Sequence, residues 1–209
     1  MAISLEADST LPQGYIKVNG TTAATASASG LTATIMGNVT GNVTGNVTGS
    51  LTSGGSLTLA TAQATTSGTS IDFTGIPSWV KRITVMLSGV STSGSSVPII
   101  QLGDSGGIET TGYVAGAADY VEWASQTVGI PISPKRLSTY SSSGSIVLML
   151  LNSSTNTWVA SGNLNDTAGA IFSSGGTKSL SATLDRVRLT TVNGTDTFDA
   201  GTVNIMYEG

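Results

Sequence analysis

Gly37 to Gly49 reads GNVTGNVTGNVTG. A repeat of this period limits what the chain can fold into more than any other stretch. Val39, Val43 and Val47 recur four apart, which alone would suit one helix face. Each Gly in a helix interior costs about 1 kcal/mol against Ala, and Val, Asn and Thr are poor helix formers as well. Extended chain sorts the repeat cleanly, because side chains alternate faces with period two. Odd positions then carry Gly and Val, and even positions carry Asn and Thr.

The same frame continues upstream through Leu31, Ala33 and Ile35, and downstream through Leu51, Leu57 and Leu59. Ordinary strands have about 3–10 residues. At ~3.3 Å per residue this frame would span roughly 90–100 Å. One chain cannot bury a Val stripe diluted by Gly at every second apolar position. Several identical chains wound together can, with Val39, Val43 and Val47 at the axis. The pattern predicts a fibrous β stalk over 31–65, and a stalk implies an oligomer.

The remainder divides around it. Residues 1–30 hold GYIKVNG, a short strand through Tyr15, Ile16 and Val18 with an Asn19-Gly20 turn signal, and are expected to form an N-terminal anchor or cap. From 66 to 209 short apolar runs alternate with Gly/Ser/Pro turns, the all-β pattern. Ile83, Val85 and Leu87 alternate with polar neighbours, as do Val187 and Leu189, and Val203, Ile205 and Tyr207. Val97 to Leu102 reads as another strand. Ile146 to Leu151 is a continuous apolar run, which suits a strand covered on both faces. No stretch makes a convincing helix, and the best candidate, Ala115 to Ser125, is short. The expected head is a β-sandwich, jelly-roll-like.

Composition narrows the function. The charged fraction is 10 % and the net charge -4, and the basic pairs Lys81-Arg82 and Lys135-Arg136 are the largest cationic groups. Nucleic-acid binders normally show a basic face, so that class is set aside. The chain has no Cys and no His, which excludes disulfides and zinc ligation by those residues. MAISLEADSTLPQ lacks the basic and apolar regions of a signal peptide. No apolar run approaches the ~20 residues of a membrane span. The expectation is a soluble protein made in a cytoplasm, with no membrane insertion.

Gly103 to Gly107 reads GDSGG, the surroundings of a protease serine. A serine nucleophile needs a base, usually histidine. Without histidine, Ser105 is expected to sit in a tight turn, where Asp, Ser and Gly are favoured. Asp196 and Asp199 could offer oxygen ligands to a cation, but Asn193 to Gly201 also reads as a turn before a strand. The densest functional cluster is Asp119, Glu122, Tyr113, Tyr120 and Trp123. Ring faces with nearby acceptors hold sugars, and packing between strands or subunits is the alternative. The sequons at Asn38, Asn42 and Asn46 come from the repeat, and no export signal accompanies them.

QGYIKVNGTTAAT, the GNVT array, IDFTGIPSWVKRITVMLSGVSTSG, LGDSGGIETTGY and FDAGTVNIMYEG together resemble fibre and spike proteins of tailed bacteriophages. The resemblance implies a homotrimeric virion protein, with a β stalk and a β-sandwich tip that contacts a host-surface glycan or protein. It implies other virion proteins as partners of the N-terminal segment, and neither enzyme activity nor cofactor. Only about thirty residues precede the stalk, fewer than in long tail fibres that join a baseplate. A distal tip on another fibre and a capsid decoration (head fibre) both fit. A glycan-degrading tailspike is a third reading, although nothing here spans the β-helical body usual in those proteins. Tyr113, Tyr120 and Trp123 are the expected receptor contacts.

The stalk reading has a direct test. Val43→Asp would bury like charges together at the axis of every assembly. Sedimentation should show wild-type trimers and, for the variant, monomers or aggregates. A stable wild-type monomer would overturn the reading.

Overall fold

The computed structural model describes residues 3–7, 13–18, 21–27, 30–32, 57–134 and 138–209. The strands are β1 (Ile3–Ala7), β2 (Gln13–Val18), β3 (Thr21–Ser27), β4 (Gly30–Thr32), β5 (Thr58–Leu59), β6 (Gln63–Ala64), β7 (Ser70–Thr74), β8 (Arg82–Thr92) and β9 (Pro98–Asp104). They continue with β10 (Gly107–Ile108), β11 (Tyr113–Ala118), β12 (Trp123–Gln126), β13 (Ile130–Pro131), β14 (Ser142–Asn152), β15 (Thr157–Asp166), β16 (Ile171–Ser179), β17 (Leu184–Thr191) and β18 (Phe198–Glu208). No helix occurs among the described residues, and every strand pair is antiparallel, so the protein is all-β.

Two units divide the chain, Met1–Gly49 and Ser50–Gly209. The first holds a four-stranded meander in the order β1-β2-β3-β4. Tyr15, Ile16 and Val18 lie in its second strand. Val39, Val43 and Val47, with the GNVT repeat and its sequons, lie outside the described residues.

The second unit is built from two sheets. One runs β12-β11-β16-β15-β14-β8-β18-β5, with β6 also on β18. The other runs β10-β9-β17-β7, with β13 also on β9. Their facing side chains share one core. Ile83, Val85, Ile146, Leu148, Val203 and Ile205 come from the larger sheet, and Phe73, Ile100, Leu102, Val187 and Leu189 from the smaller. Period-two alternation explains why Ile83, Val85 and Leu87 are buried while Arg82 and Ser88 are exposed. The chain crosses repeatedly between the sheets, but β14, β15 and β16 form a meander within one of them. That run departs from the simple pattern of a jelly roll.

Two expectations need correction, on Thr58 to Ala64 and on Ile146 to Leu151. Ala115 to Ser125, the short helix candidate, is not helical, in keeping with the all-β reading. It is the β11–β12 hairpin, paired Ala118↔Trp123 to Ala115↔Gln126. Asp119 Oδ1 closes the turn by accepting the N–H groups of Val121 and Glu122, each at 2.7 Å, an aspartate-turn bond that competes with helix. Thr58–Leu59 and Gln63–Ala64, counted with the stalk, instead pair with β18 in the larger sheet, where they satisfy backbone groups an edge would leave open. Ile146 to Leu151 is covered on one face only. Ile146 and Leu148 are in the core, while Met149 is 40 % and Leu151 66 % exposed.

Gly89 and Gly201 meet where β8 and β18 bulge. Both have positive φ, 62° and 100°, and a Cβ on Gly201 would stand 2.5 Å from the Gly89 backbone. Only Gly allows that approach.

Leu148→Ala empties a fully buried site between the sheets and should cost about 2–5 kcal/mol. Urea denaturation should show a lower midpoint with an unchanged slope. A loss under about 1 kcal/mol would mean that the core does not close as described.

Candidate functional site

The sequence cluster separates into three environments. Tyr113 opens β11 with its side chain pointing inward and is 1 % exposed. Its hydroxyl donates to Glu109 O (2.9 Å) and accepts the Leu102 N–H (2.7 Å), and burial pushes its pKa well above the ordinary value. It is a core residue, which corrects its place among the surface contacts. Odd positions of β11 face the core, a phase that one aromatic among small residues did not reveal. Trp123 starts β12 opposite Ala118 on the outer face of the larger sheet, 78 % exposed, beside a hollow floored by Gly116, Gly175 and Ser173. Tyr120 stands at the hairpin turn, 93 % exposed.

That turn borders a cavity of about 220 Å³ lined by Asp119, Val121, Glu122, Tyr140, Asp166 and Phe172, among others. Asp119 and Glu122 come from the β11–β12 turn. Asp166 ends β15, where its Oδ1 accepts the N–H groups of Ala168 (2.9 Å) and Ala170 (3.0 Å) and shapes the turn into β16. Tyr140 precedes β14, held nearby through Thr167 N–H to Ser141 O at 3.1 Å. Asp119, Glu122, Asp166 and Tyr140 thus line one hollow from three segments, beside the buried ring of Phe172. Tyr140, Asp166 and Phe172 are distant in sequence from residue 120, and no local signal joins them to it.

The cavity's position follows from strand register. Thr58 pairs Tyr207, so the chain enters the larger sheet beside the row Glu208, Arg82, Met149 and Val159. Asp166 lies at the other end of β15 from Val159, roughly 23 Å away at ~3.3 Å per residue. The Tyr120 turn and the cavity therefore occupy the end of the sheet remote from residue 57.

The GDSGG stretch is a hairpin. Asp104 pairs Gly107, and Ser105 and Gly106 make the exposed turn. Asp104 is buried, accepting Gly106 N–H at 2.8 Å and the Ser181 hydroxyl at 2.6 Å. Ser181 N–H reaches Glu109 Oε1 at 2.7 Å, and Glu109 Oε2 pairs with buried Lys178, whose ammonium lies over the Tyr113 ring. Lys178 is thereby engaged with Glu109. Asp196 Oδ1 accepts from Asn193 Nδ2 at 2.7 Å and its Oδ2 from Ser96 N–H at 2.9 Å. Asp199 instead accepts from Ser91. The two aspartates work separately, and no trio of His, Cys, Asp or Glu that could hold a metal occurs among the described residues.

No protein family, curated protein or solved structure matches this chain.

The Asp104–Ser181–Glu109–Lys178 network predicts acid sensitivity. Hydrogen bonds from Ser181 and Gly106 hold the Asp104 carboxyl below its ordinary 3.8. Burial raises Glu109, but the Lys178 and Ser181 bonds outweigh it and leave that carboxyl below 4.5. Depressed values mean that the unfolded chain binds more protons in this range, so stability is present above the ordinary values and lost as pH falls through the folded ones. Thermal midpoints should drop between about pH 5 and pH 3. Asp104→Asn should make the drop shallower, and an unchanged profile would remove the network from the explanation.

Proposed function

We propose that the chain is a homotrimeric structural fibre of a tailed-phage virion whose second unit, the head, attaches to the host surface. One observation carries this reading. The chain enters the sheet at one end, while the Tyr120 turn and its carboxylate-lined cavity occupy the other. Loops on a rigid sandwich are where recognition residues collect. Three copies would turn weak affinity for a repeated glycan into useful adhesion. In this reading the N-terminal unit docks on other virion proteins, the protein is made in the host cytoplasm and ends in the virion, and no catalysis is involved.

Capsid decoration uses the same geometry with a different address. Electron microscopy of labelled chains on intact particles distinguishes tail from capsid.

Tyr120→Ala and Trp123→Ala in the full chain should each weaken host-cell binding at least about tenfold through loss of multivalent contact. Ser105→Ala, in the exposed β9–β10 turn, should leave binding unchanged. Unaltered binding by both aromatic variants would remove the hairpin from the contact surface. Normal adsorption by particles lacking the protein would overturn the attachment reading and favour decoration.

A further inference from the structure

We propose that Asn193-Gly194 is a site of spontaneous deamidation, held unreacted by a clasp between the β17–β18 and β8–β9 connections, and that reaction there opens the clasp for good. The inference is independent of the attachment reading above.

The chain has two Asn-Gly pairs, Asn19-Gly20 and Asn193-Gly194. The first lies outside the described residues. Asparagine is chemically labile, most of all before glycine, where no Cβ shields the following backbone nitrogen. Asn193 and Gly194 are both exposed, so water and hydroxide reach the turn. The reaction needs neither oxidant nor reductant. Gly194 N gives its proton to hydroxide and attacks Asn193 Cγ. The N–Cγ bond forms, the Cγ–Nδ2 bond breaks, and the amide leaves as ammonia with a proton from water. A second water then opens the five-membered imide at either carbonyl, leaving aspartate or isoaspartate at 193.

The folded turn withholds both reacting groups. Gly194, at φ 68°, donates its N–H to Thr191 O at 3.0 Å, so the proton that must leave is engaged. The Asn193 carboxamide is fixed on both sides. Its Oδ1 accepts the Thr191 hydroxyl at 2.8 Å and Thr195 N–H at 3.0 Å, and its Nδ2 donates to Asp196 Oδ1 at 2.7 Å. Donors on Oδ1 polarise Cγ, which by itself favours attack. Attack also requires Cγ to turn toward Gly194 N and become tetrahedral, which breaks these bonds together. Reaction therefore waits on local opening.

The β8–β9 connection keeps the turn closed. Asn193 N–H donates to Ser96 Oγ at 3.0 Å, and Ser96 N–H to Asp196 Oδ2 at 2.9 Å. Ser93 N–H donates to Thr197 O at 2.8 Å, and Thr197 N–H to Ser93 Oγ at 3.1 Å. Gly94 lies so near that a Cβ there would stand 2.1 Å from the Asp196 carboxylate. Deamidation replaces the Nδ2 donor with a carboxylate oxygen facing Asp196 Oδ1. An attraction becomes a repulsion between like charges, and the isoaspartate product adds a backbone methylene to the turn as well.

Incubating the full chain in mildly alkaline buffer, followed by peptide mass spectrometry, reads the rate at Asn193. Folded wild type should react at least about tenfold more slowly than the same chain unfolded in guanidinium chloride, since it reacts only through the opened turn. Asp196→Ala removes the acceptor of Asn193 Nδ2 and of Ser96 N–H, and should raise the folded rate at least about fivefold. Should that variant fail to fold by circular dichroism, Thr191→Val, which removes the hydroxyl donor, serves in its place. Equal rates in folded and unfolded wild type, or no reaction at Asn193 in either, would overturn the proposal. So would a folded variant as slow as wild type, because the clasp would then not be the guard. Asn193→Asp places the product's side chain in the turn and should lower the thermal midpoint. A midpoint equal to that of wild type would overturn the opening of the clasp.

Discussion

One layer of aliphatic side chains between two unequal sheets is what the head depends on. With no cysteine to cross-link the chain and few charges, cohesion rests on Ile, Leu, Val and Phe brought face to face by period-two alternation. The mismatch in width has consequences. The smaller sheet is the narrower, and β13 extends it beyond β9. Ile130 and Ile132 join the core, Ile132 N–H bonds to Pro98 O, and Ser174 donates to Pro131 O. Beyond that patch, where Phe172 is the last core ring of β16, the hollow beside the Tyr120 turn opens.

Polar groups inside this core are tolerated because they are chained together. Tyr113 bonds both backbone groups of Leu102 and the Glu109 carbonyl. Lys178, Glu109, Ser181 and Asp104 extend the chain to the GDSGG turn. A partly satisfied network would be worse than an apolar core. Here each charge has a partner, and the network ties the β9–β10 hairpin in one sheet to the end of β16 in the other. The stretch that looks like a protease signature therefore serves as a structural corner, its Asp104 turned inward and its Ser105 outward.

Much of the fold was legible wherever one strand face was polar. The alternation at Ile83 to Leu87, Val187 to Leu189 and Val203 to Tyr207 marks strands without ambiguity, because solvent on one side enforces the period. Ala115 to Ser125 was not legible as a hairpin, since small residues carry little periodic signal and its turn is closed locally by Asp119, through its Oδ1 and its N–H to Glu122 O. The candidate site was legible only in part. Asp119, Tyr120 and Glu122 are neighbours in sequence and in space, but Tyr140, Asp166 and Phe172 reach the same hollow through sheet topology, which no local window contains. Tyr113 differs from Tyr120 by strand phase alone.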